Sequence, residues 1–150
     1  MKVRLDAVDW KILDALQTNG RITNVELARR AGISAPPCLR RVRALEESGI
    51  IEGYRTLLDE KQLGVDLTAF AHVGLKNQTE AELVRFEAQL RGWSIVREAW
   101  MVSGEVDFVL FCITDTLLSF QTFVIETLTA AENVESVRTS LTIRQSKTEA

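Results

Sequence analysis

Three arginines within four positions, Arg40, Arg41 and Arg43, carry the most legible chemistry of this 150-residue sequence. A guanidinium donates in a planar fork that matches phosphate oxygens and the O6/N7 edge of guanine, so such a cluster on one helix suits nucleic acid. The bland alternative is a solvated helix face on which Arg43 and Glu47 form an i, i+4 pair. A second group is Glu105 with Asp107. Two nearby carboxylates can do acid–base work or hold a metal, yet no second His or Cys offers itself beside them. Asp107 alone reads equally well as a turn-end carboxylate that caps neighbouring amides. Cys38 and Cys112 form no Cys-x-x-Cys pair, so neither a disulfide framework nor a thiolate zinc site is expected. Neither a Gly-x-Gly-x-x-Gly nor a Gly-x-Ser-x-Gly word is present, so the expectation is a non-enzyme without a cofactor.

Charge by segment supports the first reading. The chain carries a net −3, but residues 1–58 hold ten Lys/Arg against seven Asp/Glu, a net +3, while residues 59–150 hold eight against fourteen, a net −6. A basic front and an acidic back imply that only the front approaches phosphates. The start lacks the apolar stretch of a secretory signal and no long apolar run follows, so a soluble, cytoplasmic protein is expected.

The elements that must position the arginines follow from capping and periodicity. Asp6 can cap a helix with Val8, Ile12, Leu13 and Leu16 on one side, stopped by Gly20 in the left-handed conformation. Thr23-Asn24-Val25-Glu26 has the capping-box pattern for a second helix that buries Leu27, Ala28 and Ala31 and ends at Gly32. Ser34 opens a third helix at once, with Pro36 and Pro37 in its first turn, where missing amides cost nothing. Leu39, Val42 and Leu45 make its buried stripe and the three arginines surround its exposed side, with the helix N-terminus adding phosphate affinity. Two helices joined by about three residues including Gly is the helix-turn-helix connection. Gly49 stops the third helix and residues 50–58 read as an extended linker strand. The candidate DNA contacts are Thr23, Ser34, Pro36, Pro37, Arg40, Arg41 and Arg43.

Beyond a linker at residues 59–66, the pattern changes. Residues 68–76 alternate, with Ala69, Ala71, Val73 and Leu75 on one face and Phe70 and His72 on the other. Thr79-Glu80-Ala81-Glu82 again has the capping-box pattern, before a helix with Leu83, Phe86 and Leu90 inward. Residues 94–102 and 106–114 read as two strands around a turn at Gly104. A helix from Asp115 follows, with Leu117, Phe120, Val124 and Leu128 inward, and then a strand over 134–144. The order βαββαβ predicts an α+β chain: a winged-type three-helix helix-turn-helix domain (1–58) and a ferredoxin-like domain (67–150) with an antiparallel sheet. The near-continuous apolar run 106–113 belongs to a strand covered on both faces. Helices cover only one, so a second copy of the sheet is the simplest cover and a homodimer is expected, with His72 and Trp100 at that interface.

The words Leu5-Asp6-x-x-Asp9 through Ile12-Leu13, Gly20-Arg21-Ile22-Thr23-Asn24-Val25-Glu26-Leu27-Ala28, Ser34-Ala35-Pro36-Pro37-Cys38-Leu39-Arg40-Arg41-Val42, and Leu45-Glu46 through Gly49-Ile50-Ile51-Glu52-Gly53-Tyr54 resemble the Lrp/AsnC family over essentially the whole chain. The resemblance implies a homodimeric regulator of transcription that often assembles to tetramers or octamers on double-stranded DNA, in the cytoplasm at the nucleoid, and responds to an amino acid. In the family the effector sits between dimers beside a Gly-Asp-Tyr/Phe-Asp loop. The matching residues here are Gly104, Glu105, Val106 and Asp107, of which Glu105 and Val106 depart from the commoner types. The resemblance further places Met101, Ser140, Leu141 and Thr142 at the effector, with Asp107 for its ammonium and the Gly104 amide for its carboxylate. An architectural DNA-wrapping protein without an effector is the alternative.

Overall fold

The computed structural model describes residues 4–65 and 67–147. Residues 1–3, 66 and 148–150, which the sequence reading assigned to the domain ends and the linker, lie outside the described residues. The described chain forms two compact units, one ending at Leu57 and the other running Leu58–Lys147.

The first unit contains three helices, α1 (Ala7–Thr18), α2 (Asn24–Ala31) and α3 (Ala35–Glu47). Asp6 caps α1 by accepting from the Val8 and Asp9 amides at 2.8 and 2.9 Å, and Asp9 Oδ2 in turn accepts from the Asp6 amide. The left-handed stop expected at Gly20 is not used. Asn19 ends α1 in an extended conformation, and its side chain closes the next turn by accepting from the Arg21 amide at 3.0 Å. Thr23 caps α2 by accepting from the Glu26 amide, but the reciprocal half of the box is missing because Arg29 and Arg30 take the Glu26 carboxylate. Gly32, at φ 75°, turns the chain sharply into α3, and the Ile33 amide reaches back to the Ala28 carbonyl.

Ile12, Ala15, Leu27, Ala28, Ala31, Cys38 and Leu45 form the first core. Of the stripe predicted for α3, Leu45 is buried and Val42 packs against the core, but Cys38 takes the place of Leu39, which is 40% exposed. Residues 50–58 pair with no strand among the described residues, so the expected linker strand is an extended segment only. The Tyr54 hydroxyl donates to Glu46 there at 2.8 Å.

The second unit opens with a short 3-10 turn, Lys61–Leu63, and then runs β1 (Leu67–Leu75), α4 (Glu80–Leu90), β2 (Val96–Met101), β3 (Phe108–Thr114), α5 (Leu117–Thr122) with a π-helical continuation Phe123–Leu128, and β4 (Val134–Leu141). The antiparallel sheet has the order β2-β3-β1-β4, the predicted ferredoxin-like arrangement. Alternation places Ala69, Ala71, Val73, Leu75, Phe108, Leu110 and Cys112 in the core with Phe86, Phe120, Phe123 and Leu128 from the helices. Phe86 packs 4.9 Å from Phe108, centroid to centroid.

Two local expectations fail here. Thr79 caps α4 without a side-chain bond; its own amide instead donates to Asn77 Oδ1. Leu117 is 46% exposed rather than inward. The π turn adds a residue to the last helix, which brings Phe123 inward beside Leu128 and leaves Val124 half-buried.

Candidate DNA-binding and effector sites

At about 100° per residue, the exposed arc of α3 carries Pro36, Leu39, Arg40 and Arg43 toward its start and Glu46 and Glu47 at its end. Arg40 and Arg43 are exposed and form no ion pair among the described residues, so the Arg43–Glu47 pair weighed from sequence is not made. Arg41 is different. Its Nη1 lies 2.8 Å from Asp6 Oδ2 and 2.7 Å from Asp9 Oδ1, which ties α3 to the first turn of α1. The bond from the Asp9 amide, and then Arg41, hold the Asp6 carboxyl below its usual range; the hydrogen bonds to Asp9 and Asp6 push the guanidinium further up. A group so neutralised orients the helix rather than offering a free cation.

The start of α3 also differs from expectation. Ser34 is the N-cap, but its hydroxyl makes no capping bond. A cap side chain bonds the amide of the second or third helical residue, and here those are Pro36 and Pro37, which have none. The same absence removes two of the donors a helix N-terminus would offer a phosphate, so that part of the anion-binding expectation is withdrawn. Sequence reasoning missed Asn24: its Nδ2 donates to the Ala35 carbonyl at 2.9 Å and pins the first turn of α3 to α2. The only local signal is an amide residue directly after the Thr23 cap.

In the second unit, the loop between β2 and β3 is closed by backbone bonds from Val102 to Asp107 and from Asp107 to Val73, both 2.9 Å. Gly104 adopts φ 144°, a conformation that side-chain-bearing residues rarely take. Asp107 is half-buried, and its Oδ2 accepts from the Leu75 amide at 2.6 Å and from Gln78 Nε2 at 3.4 Å. Asp107 thus accepts from an amide 32 residues away rather than from the neighbouring amides weighed from sequence, and its Oδ1 has no hydrogen bond among the described residues. Gln78 was not anticipated, because it meets Asp107 only through the fold. Glu105 is exposed, with Oε2 3.4 Å from Arg138 Nη1.

Of the remaining candidates, Met101 pairs opposite Phe108, next to Asp107, and the others lie on or just beyond β4. Ser140 pairs opposite Phe70 and Leu141 opposite Ala69, while the Thr142 amide donates to the Thr68 carbonyl. Asp107 sits beyond Val73, five positions along β1 from Thr68, or about 17 Å. Thr142 is thus far from Asp107 within one copy, whereas Ser140, opposite Phe70, is three positions along β1 from Val73, or about 10 Å. Met101 lines a cleft of about 360 Å³ between α4 and β2, with Leu90, Arg97 and Phe108. Thr142 lines a larger one of about 720 Å³ with Leu58, Val65, Phe70 and Ile113.

Opposite the helices, the sheet leaves Phe70, Val109 and Phe111 half-buried and Trp100 45% exposed, with Phe70 and Phe111 in contact at 5.3 Å. The cysteines are buried, and burial pushes the Cys112 thiol up to about 11. No metal-holding group of His, Cys, Asp or Glu occurs among the described residues, and no helix there is long and apolar enough to cross a membrane.

Residues 5–52 match the family model for winged helix-turn-helix DNA-binding domains, and residues 68–150 match the Lrp/AsnC ligand binding domain. The chain is 65% identical over 147 residues to the leucine-responsive regulatory protein of Rhizobium meliloti, covering 98% of this chain and 94% of that protein. It is 36% identical to the Bkd operon transcriptional regulator of Pseudomonas aeruginosa, over 93% and 92% of the two chains. Among solved structures, a transcriptional regulator of Neisseria meningitidis in complex with L-Met superposes with a TM-score of 0.92 at 35% identity, covering 97% and 94%. Escherichia coli AsnC superposes at 0.89 with 26% identity, covering 99% and 98%. The first three of these relatives are named as regulators rather than as enzymes. With a DNA-binding helix-turn-helix in front and a ligand-binding ferredoxin-like unit behind it, the chain belongs to the Lrp/AsnC family of transcriptional regulators.

Proposed function

We propose that this regulator reads DNA through α3 and that an amino acid, bound at the Gly104–Asp107 loop, modulates its binding or assembly. The observation that carries the effector half is the Asp107 carboxylate. It is half-buried and oriented by the Leu75 amide, yet one of its oxygens has no hydrogen bond among the described residues, and the same loop carries the unusual backbone of Gly104. A carboxylate so held suits an ammonium group, and the Gly104 amide suits a carboxylate. The solved relative in complex with L-Met supports the same ligand class.

On the DNA side, Arg40 and Arg43 supply the free cations, and Ser34 and Thr23 offer hydroxyls to the backbone. Pro36 and Pro37 set the entry angle of α3. Residues 1–58 act as the DNA-binding domain, 59–66 as a tether, and 67–150 as the dimerisation and effector domain. The half-buried aromatic face of the sheet closes on a second copy, and dimers associate further to tetramers or octamers. That association delivers Ser140, Leu141 and Thr142 to the effector from another copy, whereas Met101, paired opposite Phe108, already adjoins Asp107 in the same chain. The regulator works on chromosomal DNA in the cytoplasm, at the nucleoid.

Fluorescence anisotropy on duplexes enriched from a random pool, at two salt concentrations and with L-methionine, L-leucine and the other amino acids in turn, tests this reading. Salt-sensitive binding that one amino acid strengthens, weakens or makes more cooperative is the expected result. Binding indifferent to every amino acid would remove the effector half.

A further inference from the structure

We infer that Leu39, with Pro36 beside it, forms an apolar contact for the 5-methyl group of thymine, and so sets part of the base preference of α3. The inference rests on α3 being the helix that enters the major groove. Periodicity assigns Leu39 to the core, but Cys38 takes that place and Leu39 turns outward. It lies on the same arc as Arg40 and Arg43, in the N-terminal half of the helix, the half that meets base edges when a recognition helix lies in the groove. The acidic residues are kept away, with Glu47 in the last turn and Glu46 held by the Tyr54 hydroxyl.

Chemistry narrows the occupant. Pro36 and Pro37 leave the first turn poor in amide donors, so this end of the helix is apolar rather than phosphate-binding. In the major groove the bases present donors, acceptors and one apolar group, the thymine methyl. The guanidiniums of Arg40 and Arg43, which form no ion pair among the described residues, flank Leu39 on one side and draw the duplex onto it. They repel an identical surface, which disfavours a second copy of the chain as the partner for this patch.

Deoxyuridine is thymidine without the methyl and keeps every hydrogen-bonding group. The test therefore takes the full-length protein and its enriched duplexes, replaces each thymine in turn by deoxyuridine, and measures affinity for wild type, Leu39→Ala and Arg40→Ala. Circular dichroism accompanies each variant. Wild type is expected to lose about fourfold at one or two positions, the factor for one buried methyl-sized group. Leu39→Ala is expected to bind the thymine and deoxyuridine duplexes equally at those positions. Retention of the fourfold loss in Leu39→Ala, or no sensitive thymine in wild type, overturns the inference. If Arg40→Ala still weakens binding in that case, α3 remains the reading helix and only the role of Leu39 falls. If neither substitution changes affinity, the placement of α3 in the groove falls with it.

Discussion

Arg41 of α3 lies with Nη1 2.7 Å from Oδ1 of Asp9, a first-turn residue of α1. The same nitrogen is 2.8 Å from Asp6, so one guanidinium joins the recognition helix to both members of a reciprocal helix cap. The contact fixes how α3 is presented, and it separates the three arginines into one that positions and two that form no ion pair among the described residues. Arg41→Ala is expected to lower the Tm of the protein and weaken DNA binding together, whereas Arg40→Ala leaves Tm unchanged. Thermal melts beside anisotropy distinguish the two, and an Arg41→Ala variant with wild-type Tm would refute the clamp.

Arg40→Ala is expected to cost about 1–3 kcal/mol of specific affinity, roughly 5- to 150-fold, if the guanidinium reads a base. Arg43→Ala, if the side chain meets phosphate, instead weakens all sequences alike and lowers the salt slope by about one. The measurement is affinity against salt for selected and scrambled duplexes.

Acid should destabilise the first unit through its carboxylates. Bonds from Arg29, and then Arg30, hold the Glu26 carboxyl down to about 2. Asp6 is lowered by the Asp9 amide and Arg41. A folded-state pKa below the unfolded value makes the unfolded chain bind protons first. This stabilisation is therefore complete above about pH 4.3, the unfolded Glu value, and is lost as pH falls toward 2. Urea titrations at pH 5, 4, 3 and 2 should show the decline, and Glu26→Gln should flatten it.

Removing an N-cap hydroxyl ordinarily costs about 0.5–2 kcal/mol. Thr23→Ala should fall in that range, because Thr23 accepts from the Glu26 amide. Ser34→Ala should cost almost nothing in stability, since the prolines leave its hydroxyl no amide to accept from, while DNA affinity declines. Equal destabilisation by the two substitutions would contradict the capping assignment.

Asp107→Asn keeps an acceptor for the Leu75 amide and removes the charge, so the fold and DNA binding should survive while the amino-acid response is lost. Asp107→Ala leaves that amide without its side-chain partner and should cost a further 1–3 kcal/mol or so in stability. Calorimetric titration with the responding amino acid, alongside melts, reads both effects.

The order of elements, the sheet with helices on one face, the αL glycines Gly32 and Gly49, and the Asp6 and Thr23 caps were legible in the sequence. Each depends on residues within a turn of one another or on a repeat of two or 3.6 positions, and that information is local. The family words pointed to the same two domains. What the fold alone decided is where neighbouring candidates diverge. Cys38 and Leu39 are adjacent, and the crossing of α3 over α1 and α2, not the helical period, chose which one is buried. Arg41 and Arg43 are chemically identical, and only the approach of Asp6 and Asp9, 35 and 32 residues away, commits the former. Asp107 likewise became a cap because strand pairing carried it to Leu75, and the π turn rotated α5 to take in Phe123. Caps and periods are set by short-range backbone bonding that the chain carries wherever it folds, whereas ion-pair partners and buried faces are set by which distant surfaces meet.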